Sequence, residues 1–217
     1  MTHSNHRRGS RESLMEDYVL TLRGRSILRQ PQKAREGVKI LGAHNPIGII
    51  KNRARADALP QRYMRDWKEG MGLKELVEDP DAPTYISAVY TSKKDVEGVV
   101  RDLAEADLGF SVVISGIFDE VFDICKKVGT GPHTVAMSME TIGRTELMPD
   151  NRILEIITMC GHSLVSQHYV KNLIDQVRKG KMTAYDAGLT LGKQCFCNYL
   201  NPIRAARIIE EYANTQR

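Results

Sequence analysis

Apolar positions in the middle of the chain follow first a strand pattern and then a helical one. Thr84–Tyr90 is rich in β-forming residues, and the nearly continuous apolar segment 110–115 is typical of a buried strand. Ser92 is a candidate N-cap between them, and it is followed at helical spacing by Val96, Val99, Val100 and Leu103. The pattern predicts a strand, a helix and a second strand.

The same alternation continues beyond residue 116. A helical pattern through Val121 and Cys125 extends to about Val128, and His133–Met139 has the composition of a third strand. Strands that alternate with helices over short loops favour parallel pairing through right-handed crossovers. We therefore predict an α/β fold whose small parallel sheet has the order β-α-β-α-β.

Beyond residue 149 the pattern is helical only. Ile153–Ile157 is short and apolar, and the amphipathic helix after it, from about residue 164, is ended by Gly180. Thr183 opens a second amphipathic helix, and Asn201 followed by Pro202 opens a third. These helices are expected to form a C-terminal helical subdomain over residues 149–217.

The first 56 residues have no regular pattern beyond a possible short strand at Tyr18–Leu22, and Arg62–Gly70 is predicted to form a short helix. Residues 1–56 carry 12 Lys and Arg against 4 Asp and Glu, whereas residues 57–150 carry 10 against 18. We therefore divide the chain into a basic N-terminal arm (1–56), the α/β domain (57–148) and the helical subdomain (149–217). A basic arm could bind nucleic acid, phosphate groups or an acidic partner. A solvated segment, or one that docks on its own chain, is favoured. Nucleic acid is the less favoured partner because no aromatic residues alternate with the basic ones.

Composition sets the broad class. The hydrophobic fraction is 41% and the charged fraction 27%, which is typical of a soluble globular protein, and no apolar run approaches the roughly 20 residues of a membrane helix. We expect a cytoplasmic protein, in which structural disulfides are rare. Its four cysteines are therefore candidates for metal or redox chemistry.

Three cysteines lie next to the predicted C-terminal helices. Cys160 precedes the first of these amphipathic helices, and Cys195 and Cys197 precede the third, so we expect the thiols near helix N-termini, where the helix dipole lowers a thiol pKa. The two intervening helices form a hairpin that returns the chain toward Cys160. Three converging cysteines predict a [4Fe–4S] cluster with one iron left open to water, substrate or His162.

Other interpretations of these cysteines stay open. Cys160, His162, Cys195 and Cys197 have the number and chemistry of ligands that a structural Zn²⁺ ion needs. The spacing is unusual, because Cys160 and His162, like Cys195 and Cys197, are separated by one residue where zinc sites commonly have two or more. The Cys195–Cys197 pair is also compatible with a redox dithiol or with merely buried thiols. Cys125 lies on the apolar face of its predicted helix and is expected in the core.

The strand-end loops are the candidate substrate site. Ligands of parallel sheets bind beyond the carboxyl ends of the strands. Ser92 and Lys93 begin a helix there and suit an anion, and Gly116 allows the backbone to approach a ligand. We expect these residues to bind a small anionic substrate or cofactor.

The leading hypothesis is an oxygen-sensitive iron–sulfur protein that acts in small-molecule, cofactor or sulfur chemistry, with His162 as the catalytic candidate. The sequence does not decide whether it is an enzyme or an accessory protein. The alternative is a zinc-stabilised binding protein whose basic arm docks a partner protein or, as the less favoured choice, nucleic acid. No membrane partner is expected, and self-association stays open.

Overall fold

The computed structural model describes residues 7–24, 30–53, 61–66, 70–81, 83–137 and 141–215. The chain divides into two compact units. We call Met15–Pro132 the sheet unit, and Met1–Leu14 together with His133–Arg217 the helical unit. These boundaries differ from the division that the charge distribution suggested, because much of the predicted arm lies in the sheet unit.

The sheet unit contains five described strands with helices between them. In chain order they are β1 (Tyr18–Arg23), α2 (Pro31–Ala43), β2 (Gly48–Arg53), β3 (Gln61–Met64), α3 (Leu73–Glu78), β4 (Pro83–Tyr90), α4 (Lys93–Ala106), β5 (Ser111–Ser115) and α5 (Phe118–Val128). The label α1 is kept for the short helix Arg11–Leu14, which belongs to the helical unit.

The α/β class is confirmed, but the prediction of a parallel sheet is wrong. The strand order is β3-β2-β4-β1-β5, and every neighbouring pair is antiparallel. The predicted β4-α4-β5 segment is present, and these two strands run in the same direction because each is antiparallel to β1. They are not neighbours, however, since β1 lies between them. Without β3, the order is that of the ferredoxin-like β-α-β-β-α-β arrangement.

Two other local predictions in this part of the chain are wrong. Gln61–Met64 forms β3 where a short helix was predicted, because it pairs with β2 in register from Gly48↔Met64 to Lys51↔Gln61. Residues 133–137 form no strand, and the remainder of the predicted third strand, residues 138–139, lies outside the described residues. The strand that pairs with both β4 and β5 is β1, which comes from the N-terminal segment.

The core of the sheet unit lies between one sheet face and the helices α2 and α4. Side chains alternate along a strand, so every second residue of β1 and β4 points to this face. The buried side chains there include Leu20, Leu22, Ile86 and Ala88 from the strands and Val38, Leu41, Val96 and Val99 from the helices. The hydroxyl of Tyr90 donates to the carbonyl oxygen of Leu41 over 2.8 Å, which satisfies this buried polar group.

The helical unit is built from short helices. Besides α1, they are a 3-10 turn (Thr145–Leu147), α6 (Asn151–Ile157), α7 (Gln167–Arg178), α8 (Ala184–Gln194) and α9 (Pro202–Thr215). Helices are present where the sequence predicted them beyond residue 149, and the limits 149–217 of a separate subdomain stay a prediction. None of the helices in the described ranges is long and apolar enough to cross a membrane.

Side-chain caps explain why the starts of these helices could be predicted from the sequence. The hydroxyl oxygen of Thr183 accepts from the amide of Asp186 over 3.0 Å at the start of α8. At the start of α9, Oδ1 of Asn201 accepts from the amides of Ile203 and Arg204, each over 3.1 Å. These caps satisfy helix N–H groups that have no partner inside the helix.

The close approach of α8 to α9 depends on a glycine. A Cβ added at Gly188 would overlap the carbonyl oxygen of Pro202 and lie 3.1 Å from the Cβ of Ala206. The absence of a side chain therefore lets the two helices pack closely. This packing holds both ends of the loop 195–201 that joins them.

We predict that Gly188→Ala lowers the free energy of unfolding by about 1 to 3 kcal/mol, the range of overpacked cores. Alanine is the better helix former, so any loss must come from the contact with α9. Denaturant titration followed by circular dichroism measures the change. Gly131→Ala is the matched control, because a Cβ there has nothing within 4 Å; an equal effect of the two substitutions would contradict the prediction.

Candidate metal centre

The three cysteines of the helical unit lie in two loops that follow helices. Cys160 is in the turn after α6, Cys195 is the C-cap of α8, and Cys197 lies in the loop between α8 and α9. All three side chains are buried. The expectation that the thiols occupy helix N-termini is wrong, since α7 begins seven residues after Cys160 and α9 begins five after Cys197. The helix dipole therefore does not explain their ionisation.

The two loops bring the sulfur atoms into contact. Sγ of Cys195 lies 3.4 Å from Sγ of Cys197, and Cys160 hydrogen-bonds with both thiols. One ligand atom each of Cys160, His162 and Cys197 lies within 4.8 Å of the others. This group can hold a metal ion, and Cys195 adds a further thiol beside it. The His162 residue is exposed, so the group is buried on its cysteine side and open on its histidine side.

Hydrogen bonds within this group distribute one negative charge. The thiols of Cys195 and Cys197, with the backbone amide and side chain of His162, lower the pKa of Cys160 far below its usual range. The pKa of Cys195 is raised mainly by its hydrogen bond to Cys160, and that of Cys197 by its bonds to Cys160 and Cys195, with burial adding to both. The three thiols therefore titrate as one coupled group in which Cys160 is the most acidic member.

The N-terminal segment supports the loop that carries Cys160. Nε of Arg7 donates to the carbonyl oxygen of Met159 over 2.8 Å, and the amide of Arg8 donates to Oγ1 of Thr158 over 3.3 Å. From the other loop, the amide of Asn201 donates to Sδ of Met159 over 3.3 Å. The residues just before Cys160 are thus held by both neighbouring segments.

A buried guanidinium fixes the N-terminal segment in place. Arg204 of α9 is 1% exposed, and its Nη2 donates to the carbonyl oxygen of Arg8 over 2.7 Å and to Oε2 of Glu155 over 3.1 Å. Its Nε donates to the hydroxyl of Ser13 over 2.9 Å, and this hydroxyl donates to Glu155 over 3.1 Å. Residues 7–14 of the predicted basic arm therefore dock within the helical unit.

The candidate substrate residues lie together at one end of the sheet. Ser92 and Gly116 follow β4 and β5, which run in the same direction. The hydroxyl of Ser92 caps α4, and the ammonium of Lys93 pairs with Glu120 at 2.6 Å and Asp123 at 2.7 Å. A Cβ at Gly116 would lie 2.9 Å from Cδ1 of Tyr18, so packing explains this glycine. Anion binding by Ser92, Lys93 and Gly116 stays a prediction.

Cys125 lies on α5 in the sheet unit and is buried, as the apolar pattern predicted. Burial raises the pKa of its thiol. It therefore provides a buried cysteine outside the helical unit for comparison.

Sequence analysis missed two buried polar residues of the helical unit. Arg204 carries the buried ion pair, and Asn198 is 2% exposed with no hydrogen-bond partner for Nδ2 or Oδ1 among the described residues. A polar residue directly after a Cys-x-Cys pair was the available signal for Asn198. The sequence held no comparable signal for Arg204, since an arginine in a helix is ordinarily exposed.

Comparison of the chain with protein-family models, with curated proteins and with solved structures finds no match. The functional argument therefore depends on the geometry of the helical unit.

We predict that Arg204→Ala lowers the free energy of unfolding by about 3 to 5 kcal/mol, because it leaves the Glu155 carboxylate without its buried partner. The N-terminal segment should also become a substrate for trypsin at Arg7 and Arg8. Denaturant titration and limited proteolysis measure the two effects. Arg144→Ala is the control, since Arg144 pairs with Glu146 on the surface; unchanged stability and cleavage in Arg204→Ala would refute the anchoring role.

The pKa shifts of the three cysteines predict how many protons are released when a metal ion binds. The pKa of Cys160 is lowered and those of Cys195 and Cys197 are raised, so we expect the coupled group to carry one negative charge at pH 7. Binding of Zn²⁺ at pH 7 should therefore release about two protons, so the affinity should rise roughly a hundredfold per pH unit. Titration calorimetry in buffers of different ionisation enthalpy counts the protons. Release of three would show that Cys160 is protonated before binding.

Proposed function

We propose that the helical unit binds one tetrahedral Zn²⁺ ion through Cys160, Cys195, Cys197 and His162. The observation that supports this most directly is the 3.4 Å between the sulfur atoms of Cys195 and Cys197. Zn–S bonds of about 2.3 Å in a tetrahedron place two sulfur ligands about 3.8 Å apart. The separation of these two sulfur atoms therefore needs to change by only a few tenths of an ångström for both to bind one ion.

The chemistry of the buried thiols supports the same proposal. Hydrogen bonds among the three packed sulfur atoms lower the pKa of Cys160 and raise those of Cys195 and Cys197, and the charge of one thiolate further opposes ionisation of the next. A divalent cation removes this opposition, since it replaces the thiol protons and neutralises the thiolates. Zn²⁺ is the common ion for a mixed set of thiolate and imidazole ligands.

The proposed role of the ion is to stabilise the helical unit. It cross-links the turn after α6 to the loop between α8 and α9, two segments separated by 35 positions between Cys160 and Cys195. Closing such a loop removes conformational freedom from the unfolded chain. The protein is then a metal-stabilised accessory or binding protein, the alternative that its sequence left open.

A [4Fe–4S] cluster on the three cysteines is the second candidate. Its support is the ligand set itself: three buried cysteines beside an exposed histidine suit a cluster whose fourth iron is open. In such a cluster each thiolate binds a different iron, so the sulfur atoms must lie farther apart than the ligands of a single ion. The 3.4 Å separation therefore favours one ion over the cluster.

Metal and sulfide analysis separates the two candidates. We predict that anaerobically purified protein contains one zinc per chain and no acid-labile sulfide. Cys160→Ser, Cys195→Ser and Cys197→Ser should each lose most of the zinc, whereas Cys125→Ser should keep it. Removal of zinc by a chelator should lower the melting temperature of the wild-type protein and change that of Cys195→Ser little.

Iron with sulfide in stoichiometric amounts, together with a brown absorbance that is lost in air, would show that the site holds an iron–sulfur cluster and not zinc. Folded wild-type protein that contains neither metal, and does not take up added Zn²⁺ in the presence of a thiol reductant, would reject both candidates. Loss of zinc from Cys125→Ser alone would place the ion elsewhere.

A further inference from the structure

The strand β5 forms one edge of the five-stranded sheet. Its inner side pairs with β1 from Ser111 to Ser115, and no strand of the described residues pairs with its outer side. It consists of serine, valine and isoleucine only, so it lacks the charges and prolines with which edge strands commonly avoid pairing with another chain. The strand at the other edge, β3, carries Arg62. The outer side of β5 is therefore the edge suited to accept a further strand.

The contacts of α5 show how this helix is oriented above the edge. Its residue Ile124 belongs to the apolar core between the sheet and the helices. Glu120 and Asp123 pair with Lys93, the first residue of α4, and α4 in turn contacts β1 and β4. One side of α5 thus faces the sheet and a second side faces α4. The side opposite α4 is directed away from the inner strands, toward the open edge.

Two aromatic residues occupy this outward side of α5. At about 100° per residue, Phe118 and Phe122 lie one turn apart and roughly opposite Glu120 and Asp123. Their rings stack with centroids 5.7 Å apart, and each residue is 39% exposed. Exposed aromatic side chains are enriched at protein interfaces. The open edge of β5 and this aromatic pair therefore form one candidate interaction surface.

This surface is complementary to itself under a two-fold rotation. Antiparallel pairing of β5 with the β5 of a second copy has its axis perpendicular to the sheet, so the two α5 helices lie side by side and antiparallel on one face. The first turn of α5 is acidic and its last turn is basic, and Asp119 and Lys126 in these turns are exposed. Because these two residues are seven positions apart, they lie on the same flank of the helix. Antiparallel packing then brings Asp119 of each copy to Lys126 of the other.

We propose that the outer side of β5 and the Phe118–Phe122 side of α5 form the interface of a two-fold dimer of this chain. The two β5 strands join the sheets of both copies, the aromatic pairs pack against each other beside them, and the acidic and basic turns of α5 pair at both ends. A second copy is the partner because the surface supplies both halves of each contact. The dimer is independent of the proposed metal site, since all of these residues belong to the sheet unit.

Sedimentation velocity of the intact chain over a wide range of concentration, in the presence of a thiol reductant, measures the monomer–dimer equilibrium. We expect a reversible dimer. Phe122→Asp should raise its dissociation constant about tenfold or more, because it places a charge in the apolar centre of the interface. Tyr185→Asp is the matched control, since Tyr185 is 38% exposed on α8 of the helical unit, and it should leave the constant unchanged. Circular dichroism confirms that each variant is folded.

Charge reversal tests the two-fold arrangement even if Phe122→Asp does not fold. Lys126→Glu should weaken the dimer a few-fold, because it faces Asp119 of the other copy with a like charge. Adding Asp119→Lys to this variant should return the dissociation constant toward the wild-type value, since the ion pair is then restored in reverse. Hydrogen exchange of the β5 amides should be slower in concentrated than in dilute protein, because the edge is paired only in the dimer.

Three results would overturn the proposal. The first is a chain that stays monomeric at every concentration, and the second is a dimer whose β5 amides exchange as fast as those of the monomer. The third is a dimer that Tyr185→Asp weakens as much as Phe122→Asp, or in which the double charge reversal is no better than Lys126→Glu alone. Zinc content is measured separately and should be the same in all of these variants, so failure of the interface leaves the metal site untouched.

Discussion

Burial of the Arg204 charge is the constraint on which the helical unit depends. A guanidinium without solvent contact must find partners for its donors. Here Glu155 comes from α6, whereas the hydroxyl of Ser13 and the carbonyl oxygen of Arg8 come from the N-terminal segment. Segments far apart in sequence are thereby fixed around α9. Glu155 lies five residues before Cys160, and the segment that includes Arg8 also bonds the turn before that cysteine. The position of Cys160 follows from this network.

The position of the other two thiols follows from helix packing. Gly188 and the Asn201 cap fix where α8 approaches α9 and where α9 begins. The short connection between them then leaves little freedom for Cys195 and Cys197. Two rigid supports thus hold three sulfur atoms in contact before any ion is bound, which reduces the conformational cost of binding one.

The sequence was informative where local signals decide the structure. Thr183 and Asn201 act on amides within three residues of themselves, so the starts of α8 and α9 could be predicted correctly. Sheet pairing is not local: Tyr18 pairs with Tyr90, and this insertion of β1 converted an expected parallel sheet into an antiparallel one. The short apolar segment Tyr18–Leu22 lies in a basic region, and nothing in its sequence indicates which strand it pairs with. The first 56 residues therefore looked like an arm although they supply two strands.

The same distinction applies to the metal centre. The hairpin of α7 and α8 was sufficient to predict that Cys160 meets Cys195 and Cys197, but not which helix ends the thiols occupy. The unpartnered amide of Asn198 was invisible, because burial is a property of the folded chain. The exposure of His162 was equally invisible in the sequence. If an ion binds as proposed, its three cysteine ligands would be buried and His162 would face solvent, so ligand exchange would take place on the histidine side. The cysteines would then supply the stability of the proposed site, and any reactivity would involve the position that His162 occupies.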